Sequence, residues 1–316
     1  MELYVGITDD EWFNFHSSKS SDELNFWRPS PKPYLKRLQI GAPFLFKLHG
    51  SKAPIAGGGF FLKFLVLPLS LAWDTFGEAN GATTFERFRK LISKRSTNPI
   101  GPKDDPLIGC TILGEPFFLK KAIAIPADFK DSIVSGKSYE MTSGEGLNLW
   151  QSVSAQLAAQ RADFSQTIGP ATQAAIATAR YGTPYLVKPR LGQGTFRIDV
   201  TEAYEGRCAM TMERTLPALE AAHIHRFSAG GVHEVSNGLL LRSDLHRLFD
   251  RGYLAVDPVS YKILVSPRIK EEFENGRDYY ALEREGRTLR QPTDPNAFPS
   301  RERLTRHYEE VYKKSA

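Results

Sequence analysis

The sequence predicts an α+β protein in two parts: a small β-barrel with helices over residues 1–145, and a ββα unit within residues 186–316, joined by a helical linker over 146–185. Three observations lead there. The chain has 316 residues, beyond the roughly 250–300 at which a single core stops growing. Its first 145 residues alternate short apolar runs with Gly, Pro and Asn punctuation, the pattern of many short strands. Beyond them the composition turns Ala- and Gln-rich, and then changes again into a block that gathers four of the seven histidines.

In order along the chain, the strand candidates are LYVGI, PFLFKL, GGGFFLKFLVLPLSL, LIGCTIL, EPFFL and AIAIP. Two helices are expected among them. One covers Pro33 to Leu38; the other covers Thr84 to Ser93, where Phe85, Phe88 and Ile92 fall at helical spacing. LWQSVSAQLAAQ and ATQAAIATAR are strong helix formers with few large apolar anchors, hence the linker. TFRIDVTEAYEG places Phe196, Val200, Ala203 and Tyr204 on one helical face, with Gly206 as terminator. CAMT and LEAAHIH are expected as two strands of a hairpin, SDLHRLFD as a helix with Ser243 near its N-cap and Gly252 beyond its end, and Arg301 to Lys314 as a charged final helix.

Composition excludes some classes and leaves others open. Hydrophobic residues make up 41% and charged residues 24%, as in an ordinary globular protein, and the longest apolar run is broken by Lys63 and Pro68. No run approaches the roughly 18 residues of a membrane span, so no membrane partner is expected. MELYVGITDD lacks a basic start followed by an apolar run, which predicts a cytoplasmic protein. Two cysteines, Cys110 and Cys208, agree with a reducing compartment and cannot build a zinc site of CxxC pairs. The net charge of +5 is mild. Its distribution says more: residues 85–103 carry Arg87, Arg89, Lys90, Lys94, Arg95 and Lys103 against Glu86, either a solvated helix face or a strip for phosphates.

The histidine block holds the groups that phosphodiester hydrolysis needs. That reaction requires a base for water, a divalent cation against the charge on phosphate and leaving oxygen, and a group that fixes the base's tautomer. His223 ends a strand, a loop with Gly230 and Gly231 follows, Asn237 precedes GLLL, and His246 lies in the first turns of the next helix. With spacings of fourteen and nine, embedded in AAHI, SNGLLL and DLHRLFDRG, this unit resembles the HNH endonucleases of the ββα-metal superfamily. The likeness covers about residues 188–268, and the preceding RLGQGTFR is similar to the lead-in of restriction-type members.

The resemblance implies that His223 is the general base, that Asn237 orients its imidazole through the first strand segment, and that His246 binds one catalytic Mg²⁺ or Mn²⁺. Many members carry Asp immediately before the base; here that position is Ala222. Glu220 is the favoured replacement ligand, with His225 and Asp244 as other candidates, since oxygen donors suit these ions. Arg242, Arg247 and Arg251 could grip phosphate, or pair with carboxylates instead. His225 and His233 are expected to be bystanders.

In the first 145 residues, a Trp-bearing segment (FWRPS), a helix, the turn IGAPFLFKLHG and a hydrophobic strand after GGG resemble the PUA-like superfamily, in particular its EVE branch. That implies a small barrel with a pocket for a flipped or modified base. Aromatic walls and polar edge groups are what such a pocket needs. Trp27 and Trp73 are the expected walls, with Phe26, Trp12 and Phe76 behind them, and Asn25 and Asp74 test the edge; each of these could equally be core or turn.

Together the two resemblances imply a type IV-like, modification-dependent restriction endonuclease. Its expected partner is double-stranded DNA carrying 5-methyl- or 5-hydroxymethylcytosine. Arg87 and Arg89 of the basic strip, with Arg242 and Arg247, are the expected backbone contacts. One such site cuts one strand, so a homodimer or two separate molecules would complete a double-strand break. Two alternatives stay open at this point: an HNH nuclease whose first domain reads sequence or RNA, and a non-cleaving binder with an inactive HNH unit.

Overall fold

The computed structural model describes residues 1–167, 192–226 and 230–314. The chain divides into two compact units, Met1–Arg190 and Leu191–Ala316. The expected helix ATQAAIATAR and the loop GTPYLVKPRL lie outside the described residues.

The first unit is built on a six-stranded sheet. Its strands are β1 (Glu2–Ile7), β2 (Glu23–Arg28), β3 (Pro43–Lys47), β4 (Ile55–Pro68), β5 (Leu107–Ile123) and β6 (Gly136–Glu140), in the order β2-β5-β4-β3-β1-β6. β1 and β3 are parallel; the other neighbours run antiparallel. Period-two alternation sorts the side chains. Leu3, Val5 and Leu45 face one cluster, completed by Phe60, Tyr139 and Trp150, while Tyr4, Phe44 and Phe46 face the other, with Trp12 and Leu24. α1 (Asp10–Ser17), capped by the Asp9 carboxylate on the Trp12 amide, brings Trp12 into the second cluster.

Several expectations change here. Among the described residues the strands form no closed barrel: β2 and β6 are the two ends of the strand order. LIGCTIL, EPFFL and the start of AIAIP form one bulged strand, β5, rather than three. Pro33–Leu38 is turn, and its Tyr34, Leu35 and Leu38 reach the core as side chains of a loop. The run ending in LPLSL splits, with β4 stopping at Pro68 and α2 (Leu69–Phe76) following. β4 can pass close to its neighbours only because it opens with glycines. A Cβ on Gly58 would come within 2.7 Å of the Phe44 carbonyl oxygen and one on Gly57 within 2.5 Å of that of Phe117. α3 (Phe85–Arg95) matches the expected helix and buries Phe88, Leu91 and Ile92. α4 (Gly144–Thr167) is not a bare connector, because Leu149, Trp150, Val153 and Leu157 are part of the first unit's core.

The second unit packs α5 (Gln193–Ala203) on the antiparallel pair β7 (Leu219–His223) and β8 (Gly238–Arg242), followed by α6 (Ser243–Asp250). β9 (Leu254–Val256), β10 (Ile263–Val265), α7 (Arg268–Phe273), α8 (Arg277–Arg284) and α9 (Arg301–Glu310) complete it. The expected hairpin of CAMT with LEAAHIH is replaced by pairing of LEAAH with GLLLR, and CAMT is turn. α5 sits directly against the start of β8: a Cβ on Gly238 would meet Val200 at 2.4 Å. At the other end His307 stacks on Phe249 at 3.8 Å between ring centroids and its Nε2 lies 3.0 Å from the Phe249 carbonyl oxygen. Gly252 (φ 76°) lies so close to the Val311 carbonyl that no side chain would fit there.

Candidate active site

α6 has two faces written into it at four-residue spacing. Leu245 and Phe249 are buried, while His246 and Asp250 lie together on another face. The His246 ring is held from both sides: Nδ1 is 2.7 Å from Glu220 Oε2 on β7, and Nε2 is 3.5 Å from Asp250 Oδ2. Glu220, expected from the sequence as a metal ligand, lies on His246 Nδ1; Asp250, which the sequence reading did not name, lies on the Nε2 side, and its i+4 spacing from His246 was the available signal. Ala222, the position of the absent carboxylate, is fully buried in the core cluster.

His223 closes β7 opposite Gly238. Its ring stacks on Phe196 of α5, with centroids 4.1 Å apart and planes 11° off parallel, and its Nε2 is 3.0 Å from His233 Nδ1. Burial first, then the neighbouring His233 and His246, push the His223 pKa down to about 4. The imidazole is therefore neutral at pH 7, as a general base must be.

Asn237 is completely buried and spends its amide on main chain. Oδ1 accepts from the His225 amide at 2.9 Å, and Nδ2 donates to the carbonyls of His225 and Val232, each at 2.9 Å. Its bonds thus hold the chain that follows His223. His225 contributes its backbone here. Asp244, a candidate ligand, is gripped by Arg242 at 2.6 and 3.0 Å. Burial opposes its ionisation, but that hydrogen bond and charge outweigh it and hold the carboxyl below its ordinary range. The pairing leaves Arg242 occupied within the protein, whereas Arg247 is exposed. Arg87 pairs with Glu11, and Arg89 caps the carbonyls of Gly101 and Asp104, so both bind their own fold.

The first unit contains a cavity of about 1090 Å³. Trp27 and Phe26 line it, together with Trp12, Tyr34 and Phe129, and Arg28, Lys32, Lys47, Arg95 and Lys130 outnumber Asp9 and Asp131. Trp73 is elsewhere, against Phe85 and Phe88. Asp74 is exposed outside the cavity lining, and Asn25 is fully buried with its amide on Asn80 at 2.8 Å. Trp27 is fixed by Nε1 donating to the Asn80 carbonyl at 2.7 Å, with Arg95 over its ring at 5.5 Å. Lys47 went unnoticed in the sequence because it lies within an apolar strand. It is 3% exposed, donates to the carbonyls of Leu48 and Gly50 at 3.1 and 2.7 Å, and lowers its pKa through burial.

The donor set around His246 fits a divalent ion. With the Nδ1 hydrogen given to Glu220, the lone pair of His246 is on Nε2, facing Asp250. The 3.5 Å between them is near the ~3 to 3.4 Å that separates two ligands each about 2.1 Å from one ion. Glu220 then serves as the carboxylate that orients a ligating histidine. Among the described residues no group of three or more His, Cys, Asp or Glu side chains forms a metal cage, so water would fill the remaining positions, as Mg²⁺ favours.

Residues 208–257 match the family model described as HNH endonuclease. Among solved structures the chain is similar to a modification-dependent TagI restriction endonuclease, at 11% identity and a TM-score of 0.29, covering 93% of this chain and 77% of that one. A likeness at that level carries no argument about substrate. No curated protein matches the chain. Both cysteines are free and buried, and no described helix is long and apolar enough to cross a membrane.

Proposed function

We propose that the protein is a type IV-like, divalent-metal-dependent endonuclease of the cytoplasm that cuts double-stranded DNA carrying modified cytosine, 5-methyl or 5-hydroxymethyl. The observation that carries the nuclease half is the β7–β8–α6 unit, with a neutral His223 beside His246 and its two carboxylates, inside a segment that matches the HNH endonuclease model. His223 takes a proton from water; Asn237 fixes the loop that returns past it; Glu220 holds the His246 ring. His246 and Asp250 would bind one Mg²⁺ or Mn²⁺, which when bound supplies positive charge against the scissile phosphate and the leaving oxygen. Arg247, which is exposed, would contact the DNA backbone.

For the reader half, support comes from the cavity in the first unit. Its 1090 Å³ is ample for an extruded nucleotide, Trp27 and Phe26 offer stacking faces, and the excess of cationic side chains suits the accompanying phosphate. The test is cleavage of plasmids bearing unmodified, 5-methyl- or 5-hydroxymethylcytosine, with Mg²⁺, Mn²⁺ or EDTA. Metal-dependent cutting of modified plasmid alone is expected. Equal cutting of all three would sink the reader, and binding of modified DNA without any cutting would sink the nuclease. Gel filtration with and without DNA would then decide whether two copies assemble for double-strand cleavage.

A further inference from the structure

We propose that His233 is a positioning residue of the cleavage reaction: its Nδ1 accepts the Nε2 hydrogen of His223 and holds that ring in one tautomer and one orientation. The inference rests on His223 being the base.

Two imidazole nitrogens 3.0 Å apart, Nε2 of His223 and Nδ1 of His233, share one hydrogen, so one ring donates and the other accepts. When His223 donates from Nε2, its lone pair is on Nδ1, and that atom takes the proton. The O–H bond of water breaks as an N–H bond forms at Nδ1, and the hydroxide oxygen bonds to phosphorus. The P–O3′ bond breaks, and the leaving oxygen is protonated by solvent. His233 gains and loses no proton; the positive charge that develops on His223 strengthens the hydrogen bond between them.

The fold brings His233 to this place by ties on both sides of it. Val232, one residue before, is held by the Asn237 amide, and Glu234, one residue after, is paired with Arg303 of α9 at 2.8 Å. Ser236 is bonded to the Arg303 side chain and to the Ser300 amide. At Gly231 the returning chain passes within reach of the His225 carbonyl, where a Cβ would be only 2.0 Å from the oxygen. Phe196 then stacks on His223 and lies 5.5 Å from the His233 ring, limiting rotation of both. Asn237 and His233 thereby form one device: the amide sets the loop, and the loop delivers the second imidazole.

The experiment is single-turnover cleavage of a substrate plasmid at saturating Mg²⁺ by the full chain and by His223→Ala, His233→Ala and His233→Asn, with DNA affinity measured alongside. Asn places an acceptor oxygen near the former Nδ1. We expect no cleavage by His223→Ala, a rate about 10- to 100-fold lower for His233→Ala with affinity within about twofold, and recovery to within about threefold in His233→Asn. A long-range ¹H–¹⁵N spectrum of the parent should show the His223 hydrogen on Nε2. Parent-like rates in His233→Ala, equal impairment of the Ala and Asn variants, or a hydrogen on His223 Nδ1 would each overturn the proposal. Cleavage by His223→Ala overturns the base assignment instead, so the two failures are told apart. Should His233→Ala fail to fold, the Asn variant and the spectrum still decide.

Discussion

Asn237 pairs with both polar groups of the His225 main chain, accepting from its N–H and donating to its C=O, each at 2.9 Å. A buried amide used in this way imitates one rung of a sheet ladder where none exists. Removing it strands three partly buried main-chain groups, the third being the Val232 carbonyl. Asn237→Ala should therefore lower the stability of the second unit by roughly 2–4 kcal/mol, measured by urea unfolding. Asn237→Asp keeps the size but sets a carboxylate against two carbonyls, and should fare no better. Unchanged midpoints would show that the loop holds itself.

The proposed roles around His246 separate a ligand, Asp250, from a support, Glu220. Asp250→Asn should weaken Mg²⁺ binding, read by isothermal titration in the absence of DNA, and Glu220→Gln should weaken it by about 10- to 100-fold through loss of ring orientation. If Asp250→Asn binds the ion as the parent does, the carboxylate on α6 is not a ligand.

The cavity distinguishes two tryptophans that the sequence treated alike. Trp27→Ala should reduce discrimination between modified and unmodified duplexes, at a cost of about 1–3 kcal/mol in binding of the modified one. Trp73→Ala should leave discrimination intact. Fluorescence anisotropy with paired oligonucleotides reads both, and the reverse outcome would move the reader to the α2–α3 side.

Among the arginines, engagement predicts the salt dependence. Arg247→Ala should weaken DNA binding and lower the slope of log affinity against log salt by about one. Arg87→Ala and Arg89→Ala, whose partners are Glu11 and the carbonyls of Gly101 and Asp104, should change that slope little. A loss of slope in either of the latter would restore the basic strip as a phosphate contact.

Stability should fall on mild acidification. Burial is the largest cause holding His16, His223 and His307 down to about pKa 4 from an ordinary 6.5. The unfolded chain thus takes up protons between pH 6.5 and 4 that the folded chain refuses; stability is full above 6.5 and declines toward 4. For His307, 4% exposed, the loss by pH 4 is roughly 3 kcal/mol. His307→Gln should flatten the decline of the midpoint between pH 6.5 and 4.5, and an unaltered slope would place the proton uptake elsewhere.

Parts of the second unit were legible in the sequence where chemistry and period coincide. SDLHRLFD announces its helix because Leu245 and Phe249 repeat on one face and His246 opens the other. What escaped was set by tertiary contact. His233 is ten positions from His223, and nothing local says the loop returns. CAMT has the composition of a strand, yet the strand partner of LEAAH lies after the loop. Trp73 and Asp74 lie close to Phe76 in sequence, whereas the cavity takes its wall from Trp27 on β2 and from Tyr34, in a segment expected as a helix. The barrel failed for a similar reason: short apolar runs specify strands but not whether the outermost two, β2 and β6, meet.

The stack of His307 on Phe249 and the contact of Gly252 with Val311 bear on how this nuclease could be transplanted. The stretch that matches the family model ends at residue 257, but the outer side of its helix is covered by α9, some fifty residues downstream. A graft trimmed to the motif would carry every residue of the proposed chemistry and still present a bare aromatic face. The portable cartridge is defined by that cover, and its boundary lies beyond Lys313, whose amide closes on the Gly252 carbonyl at 2.9 Å.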